Sequence, residues 1–137
     1  MIETYEFKGE GYDPFLIREG WQVAQLNHME AQDLEGIVKI DKHLLTDEVF
    51  VLVRGTAVLI AATANEAGAV AFTCVRMQQG ITYNIPANTW HNIAMDRDAS
   101  VIIVERNDTH LGDYVHMPLT AGEQGRLKKA IMTVLEA

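Results

Sequence analysis

Along the chain, apolar and β-branched residues gather in short runs that turn signals interrupt, a pattern that predicts strands rather than helices. The runs fall at residues 21–28 (WQVAQLNH), 36–44 (GIVKIDKHL), 48–55 (EVFVLVRG), 56–63 (TAVLIAAT), 70–77 (VAFTCVRM), 81–85 (ITYNI), 90–95 (WHNIAM) and 100–106 (SVIIVER). Polar connections such as NEAG at 65–68, QQG at 78–80 and DRDA at 96–99 each hold a glycine or aspartate that takes up turn geometry. The eight runs, with no alternation of strand and helix, predict an all-β sandwich or barrel of antiparallel neighbours. Parallel nucleotide-binding folds are disfavoured, because nothing resembles a strand–helix–strand repeat.

The period changes at the C-terminus. Leu127, Ile131, Val134 and Leu135 recur at helical spacing, and TAGE, from Thr120 to Glu123, has the form of a capping box. One amphipathic helix over about residues 121–135 is expected to pack on the barrel or on a partner subunit.

With 137 residues, 48% of them hydrophobic, the chain suits a single domain over residues 1–137, its barrel core at about 21–106. A formal charge of −8 with no opposing lysine or arginine cluster repels phosphate backbones, so nucleic acid is excluded as a partner. No apolar run approaches the roughly 20 residues that span a bilayer, which excludes the membrane, and neither end reads as an export signal. The expected location is cytoplasmic. Cys74 is the only cysteine, so no intramolecular disulfide or thiolate metal cluster forms, and its strand-like neighbours make it a buried, inert thiol.

Chemistry concentrates in two places. Side chains alternate across a strand, so Asp41 and His43 share a face, and on the next strand Glu48, Phe50 and Leu52 share one. If that face is the interior, Glu48 reaches the mouth that His43 occupies, while Asp47 is solvated. Farther on, Pro86, Ala87 and Asn88 make a turn that delivers a strand near Trp90, with His91 at its start. Two imidazoles and one carboxylate converging from separate strands match the two-His, one-carboxylate arrangement, which leaves coordination positions open, and Asp41 is a candidate fourth ligand. The competing reading has the same histidines merely paired with carboxylates, where a shifted pKa suits a general base.

These spacings resemble the two motifs of the cupin superfamily. The first runs glycine, five residues, HxH, three or four residues, glutamate, six residues, glycine; His43, Glu48 and Gly55 keep that register. The second runs glycine, five residues, PxG, two residues, histidine, three residues, asparagine; Gly80, Pro86 and His91 keep it. Asp41 stands where the first histidine belongs, Gly36 is one residue too close, Asn88 replaces the second glycine and Met95 the final asparagine. The resemblance covers about residues 36–105. It implies a cupin-like antiparallel β-barrel, the double-stranded β-helix or jelly roll, with one C-terminal helix appended. It also implies that His43, Glu48 and His91 are metal ligands, with Asp41 replacing a fourth. Oxygen and imidazole donors without thiolate suit Fe, Mn, Ni or Zn.

Other residues receive weaker assignments. Tyr83 could send its hydroxyl into the pocket, which makes Tyr83 and Asp41 the candidate catalytic groups. Trp90 and Asn92, out of phase with His91, face away from the ligands. Glu105 reads as a solvated strand end, and His28 as structural. The aperiodic segment 105–119, with His110, Asp113, Tyr114 and His116, is a lid over the barrel or an arm around a second subunit; His110 with Asp113 is a weaker second metal site. Free strand edges suggest a homodimer.

Three functions fit. The first is a metal-dependent enzyme acting on a small metabolite, of oxygenase, isomerase or lyase type. A metal-free acid/base enzyme similar to the sugar-nucleotide isomerases and epimerases is the second, with His43 as base. The third is a non-catalytic small-molecule binding or sensing module.

Overall fold

The computed structural model describes residues 1–137. Its strands are β1 (Tyr12–Arg18), β2 (Trp21–Asn27), β3 (Lys39–Lys42), β4 (Glu48–Arg54), β5 (Ala57–Ala64), β6 (Val70–Arg76), β7 (Thr82–Ile85), β8 (Trp90–Met95), β9 (Ser100–Glu105) and β10 (Val115–Pro118). They form two five-stranded sheets, ordered β1-β2-β9-β4-β7 and β10-β3-β8-β5-β6, and every ladder is antiparallel. A short helix α1 (Thr109–Gly112) and a long one, α2 (Ala121–Glu136), follow β9 and β10. No helix is long and apolar enough to cross a membrane.

Each of the eight runs becomes a strand, with bounds that differ from the run by no more than three residues at either end. The two strands outside them, β1 and β10, contain Pro14 and Pro118, and both lie at sheet edges. Proline lacks the amide that a central ladder needs, so edges are where it is tolerated. In β1 the register slips between Asp13 and Leu16, the interval that contains Pro14.

Between the sheets, Leu26, Phe50, Leu59, Ile93, Val101 and Ile103 pack into one core cluster. A second cluster lies on the other side of the second sheet, where Ile40, Val58, Ile60 and Ala94 meet Leu127 and Ile131 of α2. Covered on both sides, β5 buries four consecutive residues, Ala57 to Ile60, which explains its unbroken apolar run. The capping box at Thr120 and Glu123 opens α2 as the sequence predicts, and the helix lies on the barrel. Trp90 packs in this second cluster with the Lys42 ammonium 4.6 Å above its ring, and Cys74 is half-buried there.

The β4–β5 turn depends on Gly55. Its φ is +77°, and a Cβ there would lie 2.4 Å from the Ala99 Cα, so neither the conformation nor the space admits a side chain. This is the glycine that closes the first motif.

Candidate metal centre

Two loops and the strands that they feed assemble the site. Asp41 of β3 is the register partner of His91 at the start of β8, the one pair that these strands form. Where the ladder stops, Asn92 does not turn away from the ligands as expected: it is buried, lines their cavity and donates from Nδ2 to Lys39 O at 2.8 Å, tying β8 to β3. Glu48 opens β4, opposite Ile85 on one side and Glu105 on the other.

Asp47 is exposed but not idle. It accepts hydrogen bonds from the Ala87 amide (2.8 Å) and Asn84 Nδ2 (3.1 Å), and these bonds hold its carboxyl below its ordinary pKa. Asn88, standing where the motif has glycine, takes a left-handed φ of 65°, which asparagine tolerates better than most residues. Its amide donates to His43 O at 2.6 Å, so the loop that delivers His91 is tied to the loop that carries His43.

Both imidazoles are oriented from behind. His43 Nδ1 donates to Asp113 O at 2.6 Å and His91 Nδ1 to Thr89 O at 2.9 Å, which turns each Nε2 inward. His91 Nε2 lies 2.8 Å from Glu48 Oε1, and His43 Nε2 lies 3.5 Å from Glu48 Oε2. Ligand atoms of His43, Glu48 and His91 all fall within 4.8 Å of one another. Donors at about 2.1 Å from a shared ion sit about 3 Å apart, so this set fits a divalent cation with little adjustment. Glu105 Oε2, buried without a hydrogen-bond donor and 3.9 Å from His43 Nε2, borders the same space.

Burial and neighbours set the protonation. Burial alone would raise the Glu48 carboxyl, yet hydrogen bonds from His43 and His91 outweigh it and hold the group well below its ordinary range. For His43, burial would lower the pKa, but the hydrogen bond and charge of Glu48 prevail and push it up to about 9. Burial, and then the Glu48 carboxylate, push Glu105 up to about 8, so this carboxyl is protonated at neutral pH. Tyr12 donates its hydroxyl to Glu105 Oε1 at 2.6 Å and accepts from Gln22 Nε2 at 2.9 Å. Burial and the Glu105 charge raise the Tyr12 pKa, keeping the phenol intact.

The three expected ligands thus come together, and two candidates do not join them. The Asp41 carboxylate lines the cavity but is bonded to His116 of β10, outside the three-residue cluster, because β10 pairs with β3 in a register that sets these two opposite each other. The Tyr83 hydroxyl accepts from the Gln78 amide at 2.9 Å, and the ring packs against the inter-sheet core outside the cavity lining. Tyr12, at the start of edge strand β1, brings a phenol to the cavity that the sequence did not single out. Glu105 is buried rather than solvated; its shared face with Ile103 was the available signal.

Segment 105–119 folds as a cover, with His110, Tyr114 and His116 lining the cavity. His110 and Asp113 do not form a second metal site: His110 Nδ1 lies 3.2 Å from Gln22 Nε2, while the Asp113 carboxylate accepts from the Leu44 and Leu45 amides at 2.9 and 3.0 Å. His28 pairs with Asp33 at 2.8 Å, outside this cavity.

No family model matches the chain, and no curated protein matches it. Solved structures do. A cupin-2 domain containing protein from Shewanella frigidimarina aligns with a TM-score of 0.52 at 17% identity, over 74% of this chain and 85% of that one. Pac13 of Streptomyces, described as a unique nucleoside dehydratase, aligns with a TM-score of 0.57 at 12% identity, over 84% and 85%. CapF, solved with the inhibitor 3-isopropenyl-tropolone, aligns with a TM-score of 0.51 at 17% identity, over 80% of this chain and 33% of that one. Identities this low speak to the fold alone, and the fold is that of the cupin superfamily.

Proposed function

We propose that the chain is a divalent-metal enzyme acting on a small metabolite in the cavity beside His43, Glu48 and His91. The observation that carries this reading is the convergence of two backbone-oriented imidazoles and one ionised carboxylate, with their ligand atoms within 4.8 Å of one another. Fe(II), Mn(II), Ni(II) and Zn(II) suit the donor set. A bound ion would supply Lewis acidity, which serves oxygenase, isomerase or lyase chemistry. The protein's own groups do the rest. His43, Glu48 and His91 hold the ion, Glu105 keeps a proton beside the reacting ligand, and Tyr12 with Gln22 fixes the Glu105 carboxyl in place. Phe50 and Ile103 wall the cavity and limit the water that reaches it. Elemental analysis of protein purified without chelator should find about one divalent ion per chain. No metal, together with an unfolding temperature that Fe, Mn, Ni and Zn leave unchanged, contradicts the proposal.

A second reading is metal-free acid/base chemistry. The 2.8 Å contact between His91 and Glu48 favours it, because the pair is satisfied without an ion. His43 is then the base and Glu105, rather than Tyr83 or Asp41, the acid. A sugar nucleotide is a poor substrate for it, since no lysine or arginine lines the cavity to hold a diphosphate. Full turnover after exhaustive chelation favours this reading. A small molecule that copurifies and is returned unchanged favours a binding or sensing module instead. The open edges of both sheets support a homodimer, which light scattering tests.

A further inference from the structure

The unbroken apolar run of β5 is explained by cover on both sides, the inter-sheet core on one and α2 on the other. Two strands of the first sheet, β4 (EVFVLVR) and β9 (SVIIVE), carry runs of the same kind with cover on one side only. Their alternate residues, such as Phe50, Leu52, Val101 and Ile103, are buried between the sheets. The intervening ones, Val49 and Val51 of β4 and Ile102 and Val104 of β9, are half-buried and pack in neither core cluster. Register sets them side by side: Val49 pairs with Val104, which pairs with Val23 of β2, and Val51 pairs with Ile102. The long helix α2 packs on the other sheet and leaves this outer face bare. An antiparallel sheet with one solvated face normally alternates apolar with polar residues, so a face of valine and isoleucine is one that the assembled protein covers.

Charge and area identify the cover. The chain has 19 acidic residues and 11 basic ones, yet the outward positions of β2, β4, β7 and β9 hold neither Asp nor Glu. Two copies of a chain of net charge −8 can meet there without setting carboxylate against carboxylate. The accessible surface is 7862 Å², about 700 Å² more than the roughly 7,100 Å² of a compact monomer of 15.3 kDa. That surplus is close to the roughly 800 Å² that each partner gives to a standard interface. Part of it belongs to the N-terminal arm, whose first six residues are exposed, and the arm borders the same face. The Phe7 amide donates at 3.1 Å to Oε1 of Gln25, the register partner of Ile102, and Glu3 pairs with Arg18 of β1 at 2.9 Å.

We infer that the outer face of the first sheet is the contact between two copies of this chain, packed face to face about a two-fold axis. Packed sheets lie about 10 Å apart, a gap that branched side chains from both copies fill. An isologous contact of this kind sets the same valines and isoleucine of each copy against the other's. The inference deepens the homodimer reading, since it moves the contact from the open sheet edges to a face, and it is independent of the metal reading. Glu48 and Glu105 point to the opposite side of the same two strands, so the candidate metal centre takes no part in the contact.

Sedimentation velocity of the full chain over a concentration series should show a monomer–dimer equilibrium. Ile102→Lys should raise the dimer dissociation constant at least about tenfold, because each copy would then bring an unpaired ammonium into the contact. Ile102→Thr keeps the β-branched shape and should raise the constant less, in the same direction; it decides the question if urea unfolding shows that the lysine variant does not fold. An unchanged dissociation constant in whichever of these variants fold overturns the inference alone and returns the dimer contact to the edges. A wild-type chain that stays monomeric up to about 1 mM overturns the inference together with the homodimer.

Discussion

Glu48 and Glu105 stand opposite each other on β4 and β9, two carboxyls on one face of the first sheet, and only Glu48 is ionised at neutral pH. Like charges directly opposite in a sheet destabilise it, so the pair persists because Glu105 keeps a proton and two imidazoles compensate Glu48.

The metal-free protein should therefore lose stability as pH rises. Glu105 is raised from 4.5 to about 8, so its contribution is complete below 4.5 and is lost as pH climbs through 8. His43 is raised from 6.5 to about 9, so its contribution is complete below 6.5 and is lost on the way to 9. Glu48 is depressed from 4.5, so it works in the other direction: its contribution is present above 4.5 and lost on acidification. Thermal unfolding of chelator-treated protein should peak in mildly acidic buffer and decline toward pH 9. Glu105→Gln, permanently neutral, should flatten that alkaline decline; an unchanged decline argues against the shared proton.

Metal binding should release protons. At neutral pH His43 carries a proton that must leave before Nε2 coordinates. Apparent affinity should rise about tenfold per pH unit until pH nears the His43 pKa, if one proton leaves. Calorimetry in buffers of differing ionisation heat measures the count directly. Affinity independent of pH between about 6 and 8 contradicts the assignment of His43 as a ligand.

Asp113 should matter to metal without being a ligand. Its carbonyl orients His43, and its carboxylate pins the Leu44 and Leu45 amides just after that residue. Asp113→Ala keeps that carbonyl but frees the Leu44 and Leu45 amides, and the loosened His43 loop should weaken metal binding by up to about tenfold. The cost to stability should stay near about 1 kcal/mol per exposed hydrogen bond or below. Competition against a chromophoric chelator reads the first quantity and urea unfolding the second. Equal losses in both would make Asp113 merely structural.

Gly55→Ala should destabilise the barrel by at least about 1–3 kcal/mol, the cost of a strained backbone conformation before any clash. The added Cβ would also meet the Ala99 backbone at 2.4 Å. A lower urea midpoint with unchanged slope is the expected result, and an unchanged midpoint argues against this turn geometry.

The sequence made the three candidate ligands legible because each sits at a fixed offset from a turn: His43 and Glu48 before Gly55, His91 after Pro86. The strand runs and the capped helix were legible from period alone. What escaped it depends on pairing between distant strands. Glu105 acquires meaning only once β9 is known to lie beside β4, and Asp41 only once β10 brings His116 to it. Tyr12 lies in a proline-containing edge strand, where no periodicity singles out a residue. Tyr83 is the register partner of Phe50, which lines the cavity, but its hydroxyl ends against the Gln78 amide.

Metal occupancy in His91→Ala, compared with His28→Ala, tests the central claim most directly. Both variants remove one imidazole, but only His91 belongs to the three-residue cluster, while His28 pairs with Asp33 elsewhere. The account predicts that His91→Ala stays folded and loses most of its bound metal, and that His28→Ala keeps its full complement. Full occupancy in folded His91→Ala would contradict it.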